Sequence, residues 1–281
     1  MNLTTGLEGI FQVGAALAYL IASVGYGAHL VLRKASLART ARFVTMAAVA
    51  LHTVAIGVHC AVTRQTPFTT PAETLSASAW AIALVYLVLE SIPKPAPRAL
   101  GAIALPAAFL CLFAGAVLHR VSATTTPAVA HLLDSRLISL HVIAVLFSFG
   151  LLVLAFACAA LYLMQHSMLK HKRVGGGLFG KLPPLASIEN LGFTLVAFAF
   201  PLLTLSLVAG VIRAAGGGLE GAWASDPKVV ASFATWLVYG LYLLLHVTAH
   251  WRGPRANYLL IGGLLIALVT YFIPNTVHRF G

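Results

Sequence analysis

The chain has 281 residues, 60% of them hydrophobic and only 9% charged. That balance belongs to a polytopic membrane protein and leaves no room for a separate soluble domain. The formal charge of +11 could suggest nucleic acid, but the basic residues stand in short clusters between apolar runs, where they orient helices and meet anionic lipid head groups, which argues against such a partner.

Eight apolar stretches bounded by charge, Pro or Gly are read as membrane-spanning helices. In chain order they run from about Leu7 to Leu32, Phe43 to Val62, Ala72 to Glu90, Ala99 to Leu118, Arg136 to Gln165, Ile188 to Ile212, Val229 to Ala249 and Asn257 to Pro274. The expectation is an all-α helical bundle of about eight transmembrane helices, one integral membrane domain over residues 1–281. The opening MNLTTGLEG has neither a basic n-region nor a small-residue cleavage site, so it reads as the start of the first span. Cys60, Cys111 and Cys158 are isolated, with no C-x-x-C, and neither thiol exchange nor a structural zinc site has support.

Orientation follows the Lys and Arg residues. Arg33, Lys34, Arg39, Arg42, Lys94, Arg98, Lys170, Lys172, Arg173, Lys181, Arg252 and Arg255 fall on one side, twelve in all. Arg64, Arg120, Arg136, Arg213, Lys228 and Arg279 fall on the other, six in all. The first side is therefore cytoplasmic and both termini face outward. A multi-pass protein of a bacterial-type inner membrane fits this pattern.

Lipid tolerates a histidine poorly unless it faces the bundle and has a partner, a metal or a proton to carry. Of the eleven histidines, His131, His166 and His171 fall in loops or at span ends and read as solvated. His29 and His119 also lie at span ends. His141 lies about five residues inside the outer boundary, ~7 Å deep at ~1.5 Å per residue. His278 follows the last span on the same side, and the two could meet around a ligand at the outer edge or could simply bond to water. His52 lies about nine residues into the second span, ~14 Å deep, with His59 two turns further along the same face. His246 and His250, four apart, lie near the cytoplasmic end of the seventh span. Two axial haem ligands need similar depths, which favours His52 with His246 over His59 with His246; His59 and His250 remain alternatives. A chain of carboxylates in mid-membrane, which a proton pump needs, is missing from the pattern.

Several segments are similar to the cytochrome c assembly family of membrane proteins, the CcsA- and CcmC-like chains and their shorter HemX-like branch. G-A-W-A-S-D-P-K, T-W-L-V-Y-G-L-Y-L-L-L-H and H-W-R-G-P-R carry the resemblance, followed by Y-F-I-P-N-T-V-H-R-F-G. L-H-V-I-A-V-L-F-S-F-G and P-L-A-S-I-E-N-L-G-F-T-L-V-A-F-A-F-P-L-L-T-L-S-L-V-A-G resemble the two helices before the tryptophan loop, and T-P-F-T-T-P-A-E-T-L-S-A-S-A-W resembles the entry to the third span. The resemblance implies that His141 and His278 form an outer haem pair, that His246 and His52 form an inner one, and that Trp223, Asp226 and Pro227 belong to a loop covering the outer haem. The family's haem-attaching members carry several tryptophans before the Asp-Pro, whereas Trp223 stands alone here. Binding or passing a non-covalent b-type haem is thus the implied role, rather than attachment of haem to cytochrome c by this chain alone.

Neutral imidazole is a good iron ligand, and Arg136, Arg213, Arg64 or Lys228 would be available to the two propionates. The expected partners are haem, the bilayer, and a membrane-bound assembly partner or apocytochrome c. Two other functions remain open: a HemX-like membrane regulator of a haem-synthesis enzyme, and a transporter that uses histidines as relays. Pro227, directly after Asp226, is expected to set the entry to the seventh helix.

Overall fold

In hydrocarbon every backbone N–H and C=O must be satisfied within the protein, so a chain this apolar has helices or a closed barrel as its choices. The computed structural model describes residues 3–64, 66–68, 70–92, 98–121, 136–172, 182–216 and 222–273. Among them are eight α-helices and no strand. They are α1 (Leu3–Leu32), α2 (Ala35–Thr63), α3 (Pro71–Ser91), α4 (Gly101–Val121), α5 (Arg136–Lys170), α6 (Leu185–Gly216), α7 (Pro227–Thr248) and α8 (Pro254–Phe272), with short 3-10 turns at Arg98–Leu100 and Ala222–Ser225. Seven are long and apolar enough to cross a membrane, and α8 contributes a shorter apolar stretch, Pro254–Thr270. Ile10, Val24, Phe43, Phe198, Leu237 and Leu265 are all more than half exposed, which is where lipid would replace water as solvent. The chain is a multi-pass membrane protein.

The helices group into two compact units, Met1–Thr124 with Ser167–Pro184 and Thr125–His166 with Leu185–Gly281. In the first, α1 packs on α2 and α4, and α3 packs on α4. Lipid tails are as apolar as leucine, so helix association rests on close approach of small side chains rather than on water exclusion. The five buried alanines of α3 from Ala72 to Ala83 show this directly. So does Gly115 on α4, where an added Cβ would stand 2.7 Å from the Ala72 carbonyl oxygen. Thr70 and Glu73 close a reciprocal capping box over the start of α3, with Pro71 at its first turn, which fixes where that helix begins.

In the second unit α5, α6, α7 and α8 are joined by a few hydrogen bonds in an otherwise apolar core. Ser148 donates to the Ala199 carbonyl at 3.0 Å, Trp236 to Thr204 at 2.9 Å and Tyr239 to the Leu260 carbonyl at 3.3 Å. Tyr239 lies flat against Gly263, where a Cβ would come within 2.8 Å of the ring.

Every helix exceeds its apolar window at one end or both, while α4 starts later than expected, at Gly101, and α7 and α8 stop short of the expected bound, at Thr248 and Phe272. The second begins at Ala35 rather than Phe43, because the polar turn carrying Arg39 and Arg42 continues the helix beyond the hydrocarbon.

Candidate functional site

His141 lies in the second turn of α5 and reaches α6, where its Nδ1 is 2.6 Å from the carbonyl oxygen of Ser206. The ring fits there because residue 210 is glycine: a Cβ at that position would stand 3.1 Å from Cε1 and 3.2 Å from Nδ1. A carbonyl oxygen only accepts, so Nδ1 carries the proton and Nε2 keeps its lone pair. Metal-ligating histidines typically share this arrangement, one nitrogen donating to a carbonyl and the other left for the ion. His278 lies outside the described residues, so its half of the outer pair has no described position.

The segment ahead of α7 divides into a 3-10 turn, Ala222–Ser225, and a capped helix start. Trp223 sits in that turn, and its side chain lies outside the described residues. Asp226 is buried, 3% exposed, and its Oδ1 accepts from the backbone N–H of Lys228 at 2.7 Å and of Val229 at 3.4 Å. With Pro227 at the first helical position, Asp226 is an N-cap, worth about 1 kcal/mol to the helix. The expected entry at Pro227 is what the structure has. The cap gives Asp226 a structural task.

His246 lies in the last turn of α7 and is 7% exposed. Its ring stacks on Phe193 of α6, centroids 4.3 Å apart and planes 17° from parallel. Tyr242, one turn earlier, lies tilted 38° to the same ring with centroids 5.7 Å apart. Buried polar atoms are nearly always hydrogen-bonded, yet among the described residues His246 Nδ1 has no such partner. His250 does not share its face. The helix stops at Thr248 and the N–H groups of Ala249 and Trp251 both turn back onto the Leu245 carbonyl. His250 takes a left-handed backbone, φ 51°, and its side chain is exposed. Below this turn Glu189 of α6, one turn before Phe193, accepts the Gly253 N–H and ties the start of α6 to the connection between α7 and α8.

In the first unit His52 is completely buried on α2. Both its ring nitrogens are engaged: Nδ1 is 3.1 Å from the Tyr19 hydroxyl on α1 and Nε2 is 3.0 Å from the Ser76 hydroxyl on α3. Two turns along α2, His59 lies between carboxylates, with Nδ1 3.0 Å from Glu8 and Nε2 3.6 Å from Glu73. Towards the opposite end of the unit Glu90, 4% exposed, takes the Tyr26 hydroxyl at 2.5 Å and lies 3.6 Å from Arg98 Nε. Sequence reading placed Glu90 at a helix end without recognising its burial. It missed Tyr19, Ser76 and Phe193 as partners of the histidines altogether. Tyr19 and Tyr26, seven apart on α1, were the available signal, since a tyrosine buried in an apolar helix needs a partner for its hydroxyl.

The imidazoles therefore differ in what they can offer. His141 has a free Nε2 with its tautomer fixed, and His246 has a buried unpartnered nitrogen on a ring that contacts two aromatic side chains. His52 has neither nitrogen free until one hydroxyl moves. Among the described residues no group of three or more His, Cys, Asp or Glu is placed to hold a bare metal ion. Single imidazoles suit an iron already held by a macrocycle. An apolar groove of about 240 Å³ runs along α6 and α7, lined by Leu207, Val211, Phe233 and Trp236 among others. On α6 the lining residues Thr204, Val208 and Ile212 lie ~120–160° round the helix from Ser206 and Gly210, at ~100° per residue, so the groove is centred away from the His141 contact. Of the cations expected to serve the propionates, Lys228 stands in the first turn of α7 and Arg64 caps α2 with a left-handed backbone, φ 57°. The side chains of Arg136 and Arg213 lie outside the described residues.

The family model described as "Cytochrome C assembly protein" matches residues 15–280. The Cytochrome c biogenesis protein CcsA of Porphyra purpurea is 28% identical, over 74% of this chain and 76% of that protein. A protein of the same name from Synechococcus sp. (strain RCC307) is 28% identical over 74% of each chain. Protein HemX of Bacillus subtilis (strain 168) is 27% identical over 82% of this chain and 81% of its own length.

Proposed function

The chain belongs to the cytochrome c assembly protein family, and on that premise we propose that it handles haem during cytochrome c maturation, holding it non-covalently through histidine imidazoles. The observation that carries this reading is His246, a buried imidazole with one nitrogen unpartnered and an aromatic ring stacked on its face. His141 supports it with a lone pair on Nε2, fixed by the bond from Nδ1 to Ser206. The relatives named for cytochrome c biogenesis support the pathway.

On this reading His246 and His52 are inner ligands, and His141, with His278, serves the outer face. When bound, haem would supply a flat, mostly apolar ring and an iron that these imidazoles would ligate. The protein's share is to hold each imidazole at the right tautomer, to keep water away from it, and to offset the propionate charge with Lys228 or Arg64. Phe193 and Tyr242 pack against the His246 ring, and Ser206 keeps the proton on His141 Nδ1. A bacterial-type inner membrane with both termini outward is the placement the charge asymmetry supports.

The test is an absorption spectrum of the detergent-purified protein, oxidised and reduced, with pyridine extraction. His246→Ala and His52→Ala should each remove the low-spin bis-imidazole bands, and His59→Ala should leave them, since its nitrogens face Glu8 and Glu73. Retention of those bands in both His246→Ala and His52→Ala overturns the inner assignment.

The similarity to Protein HemX across most of this chain, with Trp223 the lone tryptophan before the Asp-Pro, favours one second reading. In it the same haem-binding membrane domain reports haem supply to a haem-synthesis enzyme. Deletion of the gene separates the two: lost cytochrome c with normal haem-synthesis enzyme levels marks assembly, and the reverse marks regulation.

A further inference from the structure

We propose that Gly210 is a positioning residue for His141: it opens the Ser206 carbonyl to the imidazole and so sets which ring nitrogen is presented to haem. The proposal deepens the reading of His141 as an outer haem ligand and rests on it.

In an α-helix each carbonyl accepts from the N–H four residues on, and the side chain of that later residue leans back over the turn holding the carbonyl. On α6 the residue four on from Ser206 is Gly210. A side chain there would cover the carbonyl that His141 uses, and glycine leaves it open from the side. An added Cβ would stand 3.1 Å from Cε1 and 3.2 Å from Nδ1 of the ring, tighter than side chains ordinarily pack. The imidazole would then have to withdraw from its 2.6 Å bond. A carbonyl oxygen has two lone pairs, so it accepts from the helix and from Nδ1 together. The Ser206 hydroxyl is turned away, donating to the Leu203 carbonyl at 2.7 Å. The residue is 1% exposed, so water does not compete for the contact either.

The height of the ring along α6 is held by a second contact of the same kind. Ser148, seven residues after His141 on α5, donates to the carbonyl of Ala199, seven residues before Ser206 on α6. The two bonds are rungs between antiparallel helices, two turns apart on each. A slide of α5 along α6 would break both, so the imidazole meets the opening at Gly210 at one height only. With Nδ1 committed to the carbonyl, the lone pair on Nε2 is left for iron, the support a ligating histidine normally has. With the carbonyl covered, the proton could sit on either nitrogen, and Nε2 would lose its lone pair wherever it sat there.

The experiment follows the ring nitrogens of His141 by nitrogen NMR in histidine-labelled, haem-stripped full-length protein in detergent, with the signal assigned by its absence in His141→Ala. The wild type should show one tautomer, protonated on Nδ1, and Gly210→Ala a mixture of both. Two controls separate positioning from structure. Gly192→Ala makes the same change on the same helix, where a Cβ meets only ordinary contact at 3.4 Å, and Ser148→Ala removes the other rung. Both should keep the His141 tautomer, whatever they cost in melting temperature. Ferric haem titrated into the same proteins should bind Gly210→Ala about ten- to a hundredfold more weakly than wild type, in the part of the uptake that His141→Ala abolishes. Melting temperature lost in Gly210→Ala should return when His141→Ala is added, because removing the ring makes room for the Cβ. That comparison decides the matter even where the single variant is too unstable to label. A single Nδ1–H tautomer in Gly210→Ala, or a double variant no more stable than the single one, overturns the proposal and leaves the ligand reading standing. Haem uptake in His141→Ala equal to that of the wild type overturns the ligand reading, and the proposal falls with it.

Discussion

At the scale of single residues, the chain places its few polar groups where a neighbouring helix can satisfy them. Glu90 is the most demanding case, a carboxylate 4% exposed in a helix that crosses the membrane. Tyr26 and Arg98 supply its partners, and removing either leaves a buried charge partly unpaired, which costs more than the bond itself contributes. Tyr26→Phe keeps the ring and deletes only the donor, so it should destabilise the first unit by about 1–3 kcal/mol, measured as reversible unfolding in detergent. An unchanged midpoint would mean that Glu90 has enough support from Arg98 alone. Asp226 makes a comparable prediction with a different cause. Asp226→Ala should lower stability by about 0.5–2 kcal/mol through loss of the α7 cap, while the low-spin bands of the purified protein persist. Loss of those bands at unchanged stability would place Asp226 at the cofactor.

At the scale of helices, packing depends on where glycine lets a neighbour in, and two adjacent residues of α8 make this testable. Gly262 has no atom within 4 Å of an added Cβ, whereas at Gly263 the Tyr239 ring would be 2.8 Å away. Gly262→Ala should be neutral or stabilising by up to about 1 kcal/mol from helix propensity. Gly263→Ala should destabilise by about 1–3 kcal/mol from overpacking. Equal effects at the two positions would contradict the register of α7 on α8. A second regularity runs along α2, where Thr45, His52 and His59 recur every seven residues. His52 and His59 each meet polar partners from both α1 and α3. The helices themselves were legible in the sequence because an apolar window of about twenty residues is the length a helix needs to cross the hydrocarbon. Their ends were not. The α2 start lay hidden behind Arg39 and Arg42, which close an apolar window without breaking a helix. His250 was grouped with His246 on helical spacing, yet the helix ends at Thr248 with no glycine or proline there to announce it. Pro227 did announce the start of α7, and Asp226 before it is a standard cap.

At the scale of the whole molecule, the family and the all-helical membrane architecture could be read from short segments, because the Trp-Ala-Ser-Asp-Pro run and the His-bearing helices carry them. The partners of the histidines could not. Tyr19, Ser76, Phe193 and Ser206 reach their imidazoles across helices, separated by 24 to 65 residues in the chain for those hydrogen-bonded, and one sequence holds no record of such contacts. The distribution of twelve basic residues against six predicts both termini outside the cytoplasm. A reporter fused after Gly281 that functions only outside supports this, and one that functions only in the cytoplasm contradicts it. The central claim is that the protein holds haem through imidazoles without a covalent bond, and pyridine extraction of the purified wild-type protein beside His246→Ala tests it most directly. The account predicts extractable b-type haem with low-spin bands in the wild type and loss of those bands in the variant. A wild-type protein that neither carries haem nor takes it up on titration would contradict it.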